Sequence, residues 1–152
     1  MEMNGKFPGT TRDERLGILL WYRLSRFYNQ SVRLSNQHLK KWGLTLAQFD
    51  CLVHIGTNEK ICQRDLAEKL LVTKGNIAQI LAKMEKAGWI KREKEWRTNY
   101  LSLTEKGKKL LEAELPEQER FQAAQFSPLT AEEKKRMLTH LRKLQKQWGG
   151  RK

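Results

Sequence analysis

Hydrophobic residues recur at intervals of three or four along most of the chain, which is the spacing of helices with one buried face. This spacing predicts six helices, over residues 13–41, 46–55, 63–71, 74–87, 105–126 and 131–148. Gly56 is expected to end the second helix, and Pro116 is expected to kink or break the fifth because proline has no backbone N–H. Residues 89–103 instead alternate between apolar and polar residues near Leu101, which predicts a β-hairpin whose turn lacks glycine.

Ser or Thr followed three residues later by Glu or Gln marks a helix start, because each side chain can accept a hydrogen bond from the backbone N–H of the other residue. Four such pairs divide the chain: Thr11 with Glu14, Thr45 with Gln48, Ser102 with Glu105, and Thr130 with Glu133. The third pair is ambiguous, because Ser102 also fits the hairpin and Thr104 is an alternative cap for the same helix.

The segment VTKGNIAQILAKMEKAGWIKR, residues 72–92, predicts a short helix with one apolar and one polar face. A nine-residue helix precedes it, a turn around Val72 and Thr73 joins the two, and Thr73 caps the second. This order is that of a helix-turn-helix, in which the second helix lies in the major groove of DNA. The alternative is an ordinary amphipathic helix with a solvated polar face. The short helix before the segment and the basic hairpin after it favour DNA recognition.

Polar residues at the start of this helix have the chemistry of DNA contacts. Its two amide side chains can hydrogen-bond base edges, its two lysines can contact phosphates, and its glycine permits close backbone approach. Basic residues of the hairpin are expected to reach the flanking backbone or an adjacent minor groove. The predicted contacts are Lys74, Gly75, Asn76, Gln79 and Lys83 on the helix and Arg92, Lys94 and Arg97 on the hairpin.

The composition predicts a polyanionic binding partner. Lys and Arg number 30 against 17 Asp and Glu, which gives a net charge of +13. The basic residues are spread along the chain, so they predict a folded basic surface, and nucleic acid or an anionic membrane would both fit it. No apolar run approaches the roughly 18 residues of a membrane span, and the N-terminus does not resemble a signal peptide. Two cysteines are too few for a disulfide scaffold, so a cytoplasmic location is expected.

Candidate chemistry points away from catalysis. The chain contains no GxxxxGK or GxSxG sequence, and His38, His54 and His140 lack metal-ligand spacing. The sequence therefore predicts no enzyme activity, no catalytic residue, no metal and no cofactor. RNA binding and membrane-surface binding stay open as alternatives, although a single hairpin is a poor match to the sheets on which RNA bases stack.

Four ordered segments carry a family resemblance: LTLAQFDCLVHI, ICQRDLAEKLLVTKGNIAQILAKMEKAGWIKR, EWRTNYLSLTEKGKKLL and LTAEEKKRMLTHLRKL. Together they resemble the MarR family of bacterial winged helix-turn-helix regulators, from about Arg15 to Trp148. The resemblance implies a single domain over residues 1–152, mainly α with a small β-hairpin. Within it, residues 13–41 and 105–148 would form dimerisation helices and residues 45–104 a winged helix-turn-helix lobe.

The resemblance also implies a homodimer that binds a pseudo-palindromic operator in double-stranded DNA and, like many members of the family, acts as a repressor. It assigns Thr73, Lys74, Gly75, Asn76, Gln79 and Lys83 to the recognition helix and its start, and Arg97 to the arginine of the wing. The chain departs from the family pattern in two places. In the wing, Glu95 replaces the usual Asp and Trp96 is an unusual tip residue. At the start of the third helix, Cys62 replaces the usual Thr or Ser cap.

Many members of this family release DNA when a small aromatic compound binds or when a cysteine is oxidised, and the chain offers candidates for both. The candidate ligand residues are Trp21, Arg23, Tyr28 and Phe49. Aromatic residues at helical spacing also build cores and dimer interfaces, so this alternative stays open. Cys62 is the candidate redox thiol, because a helix N-terminus favours the reactive thiolate. Cys51 lies within an apolar pattern and is expected to be a buried structural thiol.

Overall fold

The computed structural model describes residues 10–58 and 60–148, and within them the chain is mainly helical. The helices are α1 (Arg12–Leu39), α2 (Leu46–Thr57), α3 (Gln63–Leu70), α4 (Lys74–Lys86), α5 (Glu105–Ala124) and α6 (Ala131–Lys146), with a 3-10 turn at Lys40–Trp42. The strands β1 (Ile61–Cys62), β2 (Ile90–Glu95) and β3 (Thr98–Leu103) form an antiparallel sheet in the order β1-β3-β2. The predicted fold class, mainly α with a small hairpin in a winged helix-turn-helix, is confirmed. Strand β1 was not predicted from the sequence.

The described chain divides into two compact units. The first runs to Glu114 and contains α1 to α4, the sheet and the first half of α5. The second begins at Leu115 and contains the rest of α5 together with α6. The single domain expected over residues 1–152 stays a prediction.

Threonine side chains cap the helices where the sequence predicted them. Thr11, Thr45 and Thr130 each form both hydrogen bonds of a capping box, at the starts of α1, α2 and α6. The ambiguity at α5 is settled in favour of Thr104, whose Oγ1 accepts from the N–H of Gly107 at 3.1 Å. The other candidate, Ser102, lies in β3.

The predicted end of α2 at Gly56 is wrong, and so is a break of α5 at Pro116, whereas a kink there stays a prediction. Helix α2 continues through Gly56 to Thr57, and this glycine has a packing role: a Cβ there would lie 2.8 Å from Leu111 Cδ2. Helix α5 continues through Pro116, which is exposed, so water can satisfy the carbonyl that loses its N–H partner. Glu114 and Gln118, on either side of this proline, are fully buried.

The core of the first unit forms where α2, α3, α4 and β3 meet. Each element contributes a leucine that is at most 2% exposed: Leu52, Leu66, Leu81 and Leu101, respectively. Strand β3 pairs with β1 on one side and β2 on the other. Burial of these side chains stabilises the unit at about 25 cal/mol per Å² of apolar surface and fixes α4 and the hairpin on one body.

Gly107 generates a test of this packing. It is buried in the first turn of α5, and a Cβ there would lie 2.0 Å from the carbonyl oxygen of Trp89. We expect Gly107→Ala to lower the free energy of unfolding by about 3 kcal/mol, because the backbone of Trp89 must move. Gly75→Ala, in the first turn of α4, is the matched control because its Cβ would meet no atom within 4 Å. Chemical denaturation measures both, and equal stabilities of the two variants would contradict the packing argument.

Candidate nucleic-acid interface

The turn between α3 and α4 sets where the exposed helix begins. Leu71 follows α3 in the left-handed conformation, with φ of +54°, and the N–H of Val72 donates to the carbonyl oxygen of Ala67 at 3.1 Å. Thr73 then caps α4, since its Oγ1 accepts from the N–H of Asn76 at 3.1 Å. This cap satisfies one of the amides that a helix start leaves unpaired.

Helix α4 buries one face and exposes the other. Ile77, Leu81 and Met84 are at most 1% exposed and form its buried face. The predicted contact residues of this helix and its cap are all exposed: Thr73, Lys74, Gly75, Asn76, Gln79 and Lys83. Residues three and four apart are neighbours on a helix surface, so the side chains at positions 76, 79 and 83 form one continuous strip.

Gly75 has no internal packing partner that requires glycine. A Cβ built there meets no atom within 4 Å, so the described residues leave room for a side chain. The side chain of Thr73 accepts a hydrogen bond from the backbone N–H of Asn76, whereas the backbone N–H groups of Lys74 and Gly75 have no partner in the described part of the chain. These two groups lie at the positive end of the helix dipole, which favours an anionic oxygen.

The hairpin of β2 and β3 follows α4 along the chain and forms a wing. Strands β2 and β3 pair along their whole length, ending with Glu95 opposite Thr98. The two-residue turn of Trp96 and Arg97 joins them and forms the tip of the wing. Arg97 is exposed, as is Lys94 near the end of β2. Both predicted basic contacts are therefore accessible to a polyanion.

Lys60 holds the tip of the wing. Its Nζ lies 2.7 Å from Oε2 of Glu95 and 4.4 Å from the centre of the Tyr100 ring. The hydrogen bond to Glu95 raises the pKa of Lys60, so the ammonium form is favoured. Both side chains of the ion pair are about half exposed, so the pair contributes little to stability and mainly orients the tip. The acidic residue that departs from the family pattern thus has a structural partner.

Arg92 has a different environment from Lys94 and Arg97. It is half-buried in β2, with its Nη1 3.1 Å from Oε1 of Gln63 and its Nε 3.7 Å from Oε2 of Glu85. These contacts join the wing to α3 and α4. Sequence patterns do not indicate this bracing role, because Gln63 lies 29 residues before Arg92 and Glu85 lies on a different element. A DNA contact by Arg92 stays a prediction.

A groove of about 630 Å³ lies between the start of α3, the start of α4 and the wing. It brings together Lys74 and Arg97, which the sequence predicts as contacts on two separate elements. Arg64, in the first turn of α3, also lines the groove and was missed. Its side chain is exposed and lies 3.7 Å from Glu68. Three basic side chains against the single carboxylate of Asp65 make this groove suited to an anionic ligand.

The two cysteines have contrasting surroundings. Cys51 is fully buried, as predicted, and burial together with the charge of Asp50 raises the pKa of its thiol to about 12. A thiol with so high a pKa remains protonated and unreactive at neutral pH. Cys62 is half-buried at the start of α3, makes no capping hydrogen bond and lines the basic groove. Cys62 is therefore the more accessible thiol.

The four candidate ligand residues do not form one cluster. Phe49 is buried in the core, whereas Trp21 and Arg23 are exposed on α1. Tyr28 lines a second groove, of about 500 Å³, between α1, α2 and the α3–α4 turn. The other three do not line this groove. Its lining includes Val32, Lys40, Asp50, Val72 and Ile80. The assignment of a ligand to all four residues stays a prediction.

Two other kinds of site are absent from the described residues. No group of three or more His, Cys, Asp or Glu side chains in them is arranged to hold a metal ion. None of the described helices is both long and apolar enough to cross a membrane.

A helix-turn-helix followed by a two-stranded wing defines a winged helix protein, and comparisons with known proteins agree. A model of the MarR family matches residues 42–95. An HTH-type transcriptional regulator of Bacillus cereus ATCC 10987 is 47% identical over 130 residues, which cover 86% of this chain and 88% of that protein. The chain therefore belongs to the MarR family of transcriptional regulators.

Two solved structures share the fold. A point mutant of Escherichia coli MarR, complexed with operator DNA, has a TM-score of 0.78 and 23% identity over 89% of this chain and 99% of its own. BpsR of Bordetella bronchiseptica, whose DNA binding is regulated by 6-hydroxynicotinic acid, has a TM-score of 0.77 and 20% identity. The match covers 83% of this chain and 98% of BpsR. At these identities the likeness concerns the fold alone.

The carboxyl group of Asp50 leads to a prediction of how the free energy of unfolding depends on pH. Burial raises its pKa from 3.8 to about 6, so the folded protein favours the protonated carboxyl more than the unfolded chain does. The stability that this carboxyl contributes is complete below about pH 4 and is lost as the pH rises through 6. We expect Asp50→Asn to match the parent at about pH 4 and to exceed its free energy of unfolding by about 2 kcal/mol at about pH 8. Urea denaturation across this pH range checks it. A stability difference independent of pH would contradict the assignment.

Proposed function

We propose that the protein binds operator DNA as a homodimer, with α4 in the major groove and the wing along the flanking backbone or minor groove, and that it represses transcription. The observation that carries this proposal is the position of Lys74 and Arg97 on one basic groove, beside the exposed amide side chains of Asn76 and Gln79. Helix and wing thereby present phosphate-binding and base-reading chemistry on the same unit.

The dimensions and chemistry of α4 suit the major groove. Its 13 residues span about 20 Å, and the major groove of B-DNA, about 12 Å wide, admits a helix. Asn76 and Gln79 can each pair with adenine through two hydrogen bonds, which supports base discrimination. Lys83, about one turn further along, would contact a phosphate and fix the register of the helix. The free amides at the helix start supply a further phosphate contact.

Exposed apolar residues support a second copy of this chain as the protein partner. On α1, Leu16, Leu20, Leu24 and Phe27 are 38–63% exposed at helical spacing. On α6 and just beyond it, Leu138, Leu141, Leu144 and Trp148 are 37–82% exposed. Stripes of this kind are typical of helices that pack against a partner. A twofold dimer would present two α4 helices to DNA and so read two half-sites one helical turn, or a multiple, apart.

Release by a small aromatic effector is the finer part of the proposal. The groove at Tyr28 supports it, because this groove is open, lies beside the α3–α4 turn and combines an aromatic ring with aliphatic side chains and Asp50. A ligand seated there would contact Val72, which directly precedes the cap of α4.

Oxidation of Cys62 is the second candidate for release, because an oxidised sulfur would add negative charge to the basic groove.

Selection of bound duplexes from a random DNA library at fixed salt tests the proposed function. A palindromic consensus, together with a dimer mass in sedimentation equilibrium, is the expected result. Enrichment of no sequence would refute sequence-specific recognition, and preference for RNA or anionic vesicles would favour the alternatives. Release of the selected duplex is then measured with aromatic acids, phenols, quinones and peroxide. The parent and Cys62→Ser are compared under peroxide.

Single substitutions on α4 separate base reading from phosphate binding. We expect Asn76→Ala or Gln79→Ala to relax preference at one base pair of each half-site, at a cost of about 1–3 kcal/mol of discrimination. Lys83→Ala should instead weaken binding to all duplexes and reduce the salt slope by about one. Lys134→Ala, an exposed lysine on α6, is the control and should bind as the parent does. Binding isotherms at several salt concentrations measure all four, and identical effects of the amide and lysine variants would oppose these roles.

Gly75→Ala distinguishes an effect on the close approach of α4 to DNA from an effect on folding stability. Alanine favours a helix over glycine by up to about 1 kcal/mol, and the methyl group meets no protein atom, so the variant should be at least as stable as the parent. We expect it to bind the selected duplex about tenfold more weakly, because the methyl group holds the helix start away from the phosphate. Melting temperature and affinity are measured on the same preparation. Undiminished affinity would show that the backbone at this position does not approach DNA.

A further inference from the structure

Trp96 adopts a backbone conformation that its side chain disfavours. It is the first residue of the two-residue turn at the tip of the wing, and its φ is +60°. In hairpins this position is most often glycine, asparagine or aspartate, because a Cβ crowds the backbone when φ is positive. Tryptophan therefore costs folding free energy at a place where glycine would cost less.

Packing within the described chain does not offset this cost. The side chain of Trp96 is 93% exposed, so it gains almost nothing from burial. The strand ends that carry this turn are fixed, since Glu95 pairs with Thr98 across the hairpin and its Oε2 lies 2.7 Å from Nζ of Lys60. An exposed indole on a strained but oriented turn is expected to have a role outside the folded chain.

We propose that Trp96 is an apolar DNA contact, and that it inserts its indole edge-on into the minor groove that flanks the site of α4. The inference rests on the proposed function. The adjacent Arg97 and the nearby Lys94, both exposed, would hold the wing on the phosphates beside this groove. The indole then packs against the apolar faces of deoxyribose, in the groove where other minor-groove proteins also place apolar side chains. Its Nε1–H can donate to the acceptors that every A·T pair presents there.

This role predicts a contact that is different in kind from that of Arg97. An apolar contact displaces no counterion, so its loss lowers affinity without changing the salt dependence. Loss of an arginine that neutralises a phosphate lowers both. The salt slope therefore distinguishes insertion of the indole from a general electrostatic effect of the wing.

The test compares Trp96→Gly, Trp96→Phe and Arg97→Ala on the selected duplex. Trp96→Gly removes the strained Cβ, so it should melt at the same temperature as the parent or above it. We expect it to bind about tenfold more weakly with an unchanged salt slope. Trp96→Phe should retain most of the affinity, because it keeps an aromatic ring. Arg97→Ala should reduce the slope by about one.

Shortening the duplex locates the contact. When base pairs are removed from both ends until the wing no longer meets DNA, the parent and Trp96→Gly should bind equally. Parental affinity of Trp96→Gly on the full duplex would overturn the inference, and so would a tenfold loss that persists on the shortened duplex. If the parent itself selects no duplex, the proposed function fails first. If it selects one and Trp96→Gly binds it normally, the inference about the indole alone fails.

Discussion

The buried face of α4 is the constraint on which the proposed interface depends. Ile77, Leu81 and Met84 are removed from water in the core, so α4 cannot rotate without exposing them, and its polar strip has one fixed direction. The Thr73 cap fixes where this strip starts. Because Arg92 joins the wing to α3 and α4, helix and wing are positioned by the same packed body. The proposed recognition residues are thereby placed on elements that the core holds in position.

Local patterns predicted most of the helices, because helical spacing and capping depend on residues within one turn of each other. Gly56 was misjudged because its outcome depends on Leu111, a residue far along the chain against which it lies. A break at Pro116 was expected from the missing N–H, but this proline is exposed, so water can satisfy the carbonyl that loses its partner. Strand β1 has two residues, too few to show an alternation, and exists because β3 offers it a free edge. The surroundings of each residue in the folded chain thus decided each difference.

The candidate site was predictable to the extent that it lies on one helix. Spacing alone placed Asn76 and Gln79 outward, but it could not bring Lys74 to Arg97 or add Arg64 from α3. Of the four candidate ligand residues only Tyr28 lines the groove beside the α3–α4 turn, and the apolar pattern that identified Phe49 is also the pattern of a core residue. The strain at Trp96 had one signal in the sequence, a hairpin turn without glycine. The two-residue length of this turn and the positive φ of Trp96 are known only from the structure, in which Glu95 pairs with Thr98.

The contrast between the two cysteines also has a practical consequence. The thiol of Cys51 is shielded by the core, and the half-buried Cys62 lines the basic groove. A maleimide fluorophore or a nitroxide would therefore attach preferentially at Cys62, without any engineered substitution. Such a label would sit beside Lys74 and Arg97, where its mobility and emission report whether the groove is occupied. The native chain thus has a built-in attachment point for spectroscopy.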